Sequence, residues 1–239
     1  MSDSQKPPSG KWVAGIGGGV VGAALMAAFL IFAVPHYFAG RIVRAGMMAD
    51  PQVLLDAGEA LHDQQYAPVL AAHRAELETP FGTSWKGASK PDVTLVEFYD
   101  YACPYCKASN PALDQLLKSD PKVRIVYREL PILGDPSVAA ARLSLAASKA
   151  GRFAQFHDAL WAAGRPDPQT IATAAQAAGI PDQPVETPEA DAELKKNFQL
   201  AGALGATGTP LFIIGDRVIN GAVTYAMLKS AVGEARAKG

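Results

Sequence analysis

Cysteine is nearly absent from this chain: 239 residues hold two, Cys103 and Cys106. Two cysteines cannot build a disulfide scaffold, so the fold has to rest on a hydrophobic core. Net charge is nearly absent as well, at −1 near neutral pH. Nothing in that balance points to a polyanionic partner such as nucleic acid. The histidines, His36, His62, His73 and His157, are scattered and form no paired ligand motif. A structural zinc ion takes four ligands, and no further cysteine exists to complete a site with the two present.

Lys, Arg, Asp and Glu are all missing from residues 12–40. A helix of that length can cross a hydrocarbon core of ~30 Å. Two readings compete for it. One is an uncleaved signal anchor. The other is a cleaved signal peptide, whose apolar region runs about 7–15 residues and ends at a small-x-small site. Tyr37-Phe38-Ala39-Gly40 fits such a site poorly. A transmembrane signal anchor at 12–40 behind a cytoplasmic tail at 1–11 is therefore the expectation. Lys6, Lys11 and Asp3 precede the span, and Arg41 and Arg44 follow it, so flanking charge does not fix the orientation. Gly17 to Gly22 matches G-x-G-x-x-G, but neither a preceding strand nor a following crossover unit supports a dinucleotide site. The spacing of Gly15 with Gly19, and Gly18 with Gly22, also suits helix packing in lipid.

What the chain does contain is one organising stretch. Val93 to Tyr99 is an apolar, β-prone run that ends in a short turn. Cys103-Pro104-Tyr105-Cys106 follows and opens a helix-like segment through Leu117. Cys103 would stand at the helix N-terminus, where unpaired N–H groups and the helix dipole favour a thiolate. Pro104 suits the first helical position, since its missing N–H has no partner there. Cys106, one turn on, is placed to resolve a mixed disulfide. A strand–C-P-x-C–helix context is a redox context.

The run Glu97-Phe98-Tyr99-Asp100-Tyr101-Ala102-Cys103-Pro104-Tyr105-Cys106-Lys107 resembles the active-site segment of the DsbA-like thioredoxin-fold oxidoreductases. It is most similar to the suppressor-of-copper-sensitivity, or ScsC-like, branch. Gly208-Thr209-Pro210, followed by the apolar run Leu211 to Gly215, agrees in kind and order. The resemblance implies an α/β thioredoxin fold over 92–239 with a helical insertion at about 136–205. It implies a cis bond between Thr209 and Pro210, lying against the Cys103–Cys106 redox disulfide. Cys103 is then the exposed nucleophile. Pro104, Tyr105, Thr209 and Pro210 become the client-binding residues, with Pro104 and Tyr105 also tuning the redox loop. Glu97 lies six residues before Cys103, as a buried acid does in that family, and would manage the proton of Cys106. Strand alternation alone leaves open whether Glu97 faces inward or to solvent. Threonine before the proline resembles the isomerase and ScsC-like members more than the main oxidase branch.

Around this core, Asp50-Pro51 is a good helix start, and Leu54, Ala57 and Leu61 share a face. Pro68 is expected to divide the segment into two helices. The ScsC-like branch carries a self-associating helical region here, so residues 49–78 read as a helical stalk and candidate oligomerisation element. The alternative is a spacer packed on the domain. Residues 79–91, rich in Gly, Pro, Ser and Thr, read as a linker. Helices are expected at Ala139–Ala150, Phe153–Ala162, Pro168–Ala178 and Pro188–Leu204. Phe153, Phe156, Leu160 and Trp161 read as core, and His157 as a surface or hydrogen-bonded residue. A hairpin through Gly215-Asp216-Arg217 and a closing helix from Val223 to Lys238 complete the chain.

The expected protein is thus a thiol:disulfide oxidoreductase of the inner membrane. It is single-pass, with its catalytic domain in the periplasm and no cofactor or metal. Its expected partners are exported proteins with thiols or disulfides and a membrane redox partner. A copper-handling protein using the two thiolates as Cu(I) ligands is the alternative function; a non-catalytic scaffold of the same fold is a third.

Overall fold

The structure, a computed structural model, describes residues 22–182 and 187–238. The tail at 1–11, the first part of the 12–40 span and most of the glycine motif lie outside the described residues. The chain divides into two compact units, 1–60 and 61–239. In the first, the backbone is helical from residue 22, passes through a π-helical stretch at Phe29–Ala33 and continues as α1 (Val34–Ala49). Among the described residues no helix is long and apolar enough to cross a membrane. Asp50 caps the next helix, its Oδ1 accepting the Gln52 N–H at 3.1 Å. That helix, α2 (Gln52–Glu78), runs unbroken through Pro68. The expected division there does not occur. Burial of Tyr66, Leu70 and Leu77 along α2 outweighs the lost hydrogen bond of one proline.

The second unit is built on a five-stranded sheet in the order β1-β3-β2-β4-β5. Its strands are β1 (Trp85–Gly87), β2 (Val93–Tyr99), β3 (Val123–Glu129), β4 (Leu211–Ile214) and β5 (Arg217–Asn220). Only β2 and β3 pair in parallel, and α3 (Pro104–Ser119) makes the crossover between them. Alternation along β2 sends Leu95, Glu97 and Tyr99 to one face and Val96 and Phe98 to the other. On the first face lie α3, α4 (Asp135–Lys149), α5 (Phe153–Ala163), α6 (Pro168–Ala178) and α8 (Tyr225–Lys238). Here Phe153, Phe156, Leu160 and Trp161 are core.

The other face is covered by Tyr66, Leu70 and Leu77 of α2 and by Leu200, Ala201 and Leu204 at the end of α7 (Pro188–Ala203). Residues read as a helical stalk, with a spacer packed on the domain as the alternative, and as a linker therefore belong in part to the domain. From Leu61 the helix is sheet cover, and the linker supplies the edge strand β1. A sheet with parallel pairing needs both faces covered, and α2 provides the missing apolar stripe. Arg128, fully buried on this side, fixes the end of α2. Its Nε donates to Leu77 O at 3.0 Å, and Nη2 donates to Thr79 O at 2.9 Å and also to Glu76 O. Nη1 pairs with Glu193 at 3.0 Å and Asn197 at 2.9 Å. A cation here satisfies the orphan carbonyls at a helix C-terminus.

On the first face a buried polar chain ties the insertion to the end of β2. Tyr99 OH donates to the Glu129 carboxylate. Tyr101 OH lies 3.0 Å from Ser144 Oγ and 3.1 Å from His157 Nδ1. Trp161 Nε1 donates to His157 Nε2 at 3.2 Å. His157 is therefore a core residue with both ring nitrogens paired, not a surface one. Burial pushes the Glu129 carboxyl up to about 8, against the pull of its hydrogen bonds from Ser144 and Tyr99.

Replacing Arg128 by Met takes from the buried Glu193 one of its two cations, the other being Lys196, and leaves the Glu76, Leu77 and Thr79 carbonyls without their donor. Urea unfolding should show a loss of about 3–5 kcal/mol. Glu129 binds its proton more tightly folded than unfolded, where its ordinary value is 4.5. Between that value and about 8 the folded state holds the extra proton, so this group makes stability fall as pH rises through the window. His157, held neutral by burial, acts oppositely but only up to its ordinary value of 6.5. From about pH 7 to 8.5 the urea midpoint should therefore decline, and decline less steeply in Glu129→Gln.

Candidate active site

β2 ends at Tyr99, the chain turns, and α3 opens at Pro104 with Cys103 as its N-cap residue. Cys103 is extended there (φ −80°, ψ 119°), and no side chain caps the helix. Its N–H donates to Asp100 O at 3.0 Å, and its carbonyl accepts the Lys107 N–H at 3.2 Å. The first helical turn thus leaves backbone donors facing the Cys103 side chain.

The loop before β4 closes the site from the other side. The Thr209–Pro210 bond is cis. Cys103 Sγ donates to Thr209 O at 3.2 Å. Pro210 O accepts the Gly221 N–H at 2.9 Å, which pins the loop to the end of β5. A cleft of about 230 Å³ lies along Thr207, Gly208, Thr209, Pro210, Asn220 and Gly221. Contrary to the expected exposed nucleophile, Cys103 keeps only 5% of its surface. The Thr209 carbonyl lying over its sulfur accounts for the cover. Tyr105, in the next position but one, is 64% exposed and stands at the rim.

Cys106 has no exposed surface, and both cysteines are free thiols. Burial pushes the Cys106 thiol far above its ordinary value, and the charge of Glu97 pushes the same way. The Asp100 backbone and the Thr209 side chain pull back.

Glu97 faces inward. It lies between Leu95 and Tyr99 on the face that α3 covers, opposite Tyr127 of β3 and Phe212 of β4. Only 1% of its surface is exposed. Burial raises its pKa well above the usual range, the charges of Cys103 and Glu129 add to this, and Lys86 opposes it. Lys86 reaches in from the edge strand β1, 5.8 Å above the Tyr127 ring, and pairs with Asp158. A second cleft, about 200 Å³, runs between Lys86, Asn110, Asp114, Tyr127 and Asp158.

The structure therefore gathers Cys103, Pro104, Tyr105, Cys106, Thr209, Pro210 and Glu97 around one sulfur pair. Sequence reasoning passed over Lys86 and Asp100. Lys86 carries no local signal, since its reach into the core follows from β1 joining the sheet. Asp100 did carry one: an aspartate two residues before an N–H in a turn is an Asx-turn pattern. Among the described residues no three His, Cys, Asp or Glu side chains converge as a metal site.

The DSBA-like thioredoxin domain family matches residues 94–233, over half of the chain. Among solved structures, a thioredoxin-like oxidoreductase from Silicibacter pomeroyi is 37% identical, with a TM-score of 0.64, covering 69% of this chain and 98% of its own. The catalytic domain of Proteus mirabilis ScsC is 30% identical, with a TM-score of 0.66, covering 71% and 98%. The chain spans only 12% and 24% of the two curated relatives it matches. These are the Na(+)/H(+) antiporters NhaA 3 of Salinispora tropica (39% identical over 79 residues) and NhaA 1 of Salinispora arenicola (30% over 154). The sheet order, the paired thiols at a helix start and these matches agree: the chain belongs to the DSBA-like thioredoxin domain family of thiol–disulfide oxidoreductases.

Proposed function

We propose that the chain forms or reshuffles disulfides in exported proteins through Cys103-Pro104-Tyr105-Cys106, from a membrane anchor and on the periplasmic side. The observation that carries this reading is the Cys103 sulfur, set at a helix N-terminus 3.2 Å from the Thr209 carbonyl, with Cys106 buried one turn behind it. The anchor and compartment rest on the uncharged stretch at 12–40. Self-association through 49–78 belongs to the same reading and draws on the exposed Val53, Leu54 and Leu55.

In the oxidising direction a client thiolate attacks Cys103 Sγ. The Cys103–Cys106 bond breaks, its electron pair goes to Cys106 Sγ, and a client–Cys103 mixed disulfide forms. A second client thiolate then attacks the client sulfur. The client leaves as a disulfide, and Cys103 leaves as a thiolate. Two electrons pass to the cysteine pair, and the client thiols give up two protons. In the shuffling direction reduced Cys103 attacks a client disulfide, and either a client thiol or Cys106 releases it.

Cys106 needs proton chemistry in both directions. A thiol raised by burial leaves as a poor thiolate unless it is protonated, and it attacks poorly unless a base takes its proton. Glu97, inward and itself raised by burial, is the group to give and receive that proton. An extended client segment lies along the Thr209–Pro210 cleft, where no proline N–H competes for its backbone.

Refolding of scrambled ribonuclease and reduction of insulin test the activity. Cys103→Ser should abolish both, and Cys106→Ser should accumulate a client mixed disulfide visible by mass. Glu97→Gln should slow resolution of that mixed disulfide by about 10²-fold or more, and the residual rate should rise with pH as hydroxide takes over the proton of Cys106. Wild-type rates in the Cys103→Ser chain end this reading. Release of the chain from membranes by alkaline carbonate would end the anchored form of it. An unchanged monomer mass with and without residues 49–60 would end the self-association.

A further inference from the structure

Asp100 is buried in the turn between β2 and α3. Its Oδ1 accepts the Ala102 N–H at 2.8 Å. Its Oδ2 accepts two more, from Ile132 at 2.8 Å and Leu133 at 2.9 Å. Its own carbonyl takes the Cys103 N–H at 3.0 Å, and its backbone meets the Cys106 thiol. Capping the turn needs only the bond to Ala102. The other oxygen serves a loop 32 and 33 residues further along the chain. The Leu130 N–H donates to Tyr99 O at 2.8 Å, so turn and loop leave the sheet side by side. In that loop Ile132 and Leu133 are 43% and 44% exposed, large apolar residues whose backbone is held by the turn that carries Cys103.

We propose that Asp100 is a positioning residue for thiol–disulfide exchange: its carboxylate locks the turn bearing Cys103 to the Ile132–Leu133 loop and so fixes how the sulfur meets a polypeptide client. The inference rests on Cys103 being the exchanging thiol. The three bonds are charge-assisted, and two segments share one anion, so neither segment can shift without the other. Asp100→Ala removes every acceptor. Asp100→Asn keeps the shape but offers one acceptor oxygen, and its NH₂ must then oppose N–H donors on one side.

The test compares full-length wild type, Asp100→Ala and Asp100→Asn for the rate of thiol exchange with reduced, unfolded ribonuclease. Folding is checked by circular dichroism. Arg236→Ala serves as the control for lost stability, because Arg236 pairs with Asp92 and Asp120 at the far end of β2 and α3. The expected result is a slowing of about tenfold or more in the folded Asp100 variants. Arg236→Ala should melt lower yet exchange at the wild-type rate. A folded Asp100 variant slowed less than about tenfold, or an Arg236→Ala chain slowed as much, overturns the proposal. If neither Asp100 variant folds, hydrogen exchange on the wild type decides. The Ile132 and Leu133 amides should change protection by about threefold or more between the oxidised and reduced cysteine pair, and equal protection overturns the coupling. A wild-type chain that exchanges no thiols brings down the thiol reading with it. A wild type that does, beside a folded and unslowed variant, removes only the role of Asp100.

Discussion

A single thiol-to-carbonyl contact, Cys103 Sγ to Thr209 O, joins parts of the chain 106 residues apart. One partner is delivered by the end of β2 and the start of α3, the other by the loop into β4. β2 and β4 are neighbours in the sheet, so the two ends arrive together. The helical insertion lies between them in sequence; α4 to α6 pack on the first face, and the end of α7 covers the other. The same contact covers the nucleophile. Cys103 keeps 5% of its surface, while Tyr105 two residues on is exposed and a cleft runs along Thr209 and Pro210.

Burying polar groups in this core is costly unless each has a use or a partner. Most have partners. Arg128 serves the end of α2 together with Glu193 and Asn197, and His157 is bracketed by Tyr101 and Trp161. Glu129 receives Tyr99. Glu97 is buried to the same degree as these. A carboxyl left in that state is held with its proton by desolvation. It faces the side of the sheet where Cys106 is equally cut off from water. Burial makes both resist ionisation, and a charge on Glu97 would raise the Cys106 thiol further.

The buried chain through Tyr99 and Tyr101 and the three bonds to Asp100 hold successive residues of one turn from different directions. The tyrosines fasten it to the insertion, and the aspartate fastens it to the loop after β3. A nucleophile on such a turn is set by the surrounding packing and not by the helix alone. Rigid support of this kind is what lets a short loop present one sulfur reproducibly.

Much of this was legible in residue order. The breakers Gly151, Gly164 and Gly179 bound the insertion helices within a few residues of where they lie, because turn chemistry is local. The Cys-Pro start of α3 was legible for the same reason. So was the β4–β5 hairpin. Pro68 misled, because a proline's local cost is fixed while the burial that offsets it comes from sheet residues such as Val96 and Val126, outside its own helix. The linker reading failed at Trp85–Gly87, whose strand exists only because β3 offers an open edge. By itself, then, the sequence determined the elements and the two thiols at a helix start, since propensity, capping and spacing act between near neighbours. Tertiary structure alone decided that Glu97 turns inward, that Cys103 is covered, and that Asp100 holds a distant loop. Those outcomes depend on which surfaces meet, and hydrophobic burial chooses among surfaces without regard to their separation along the chain.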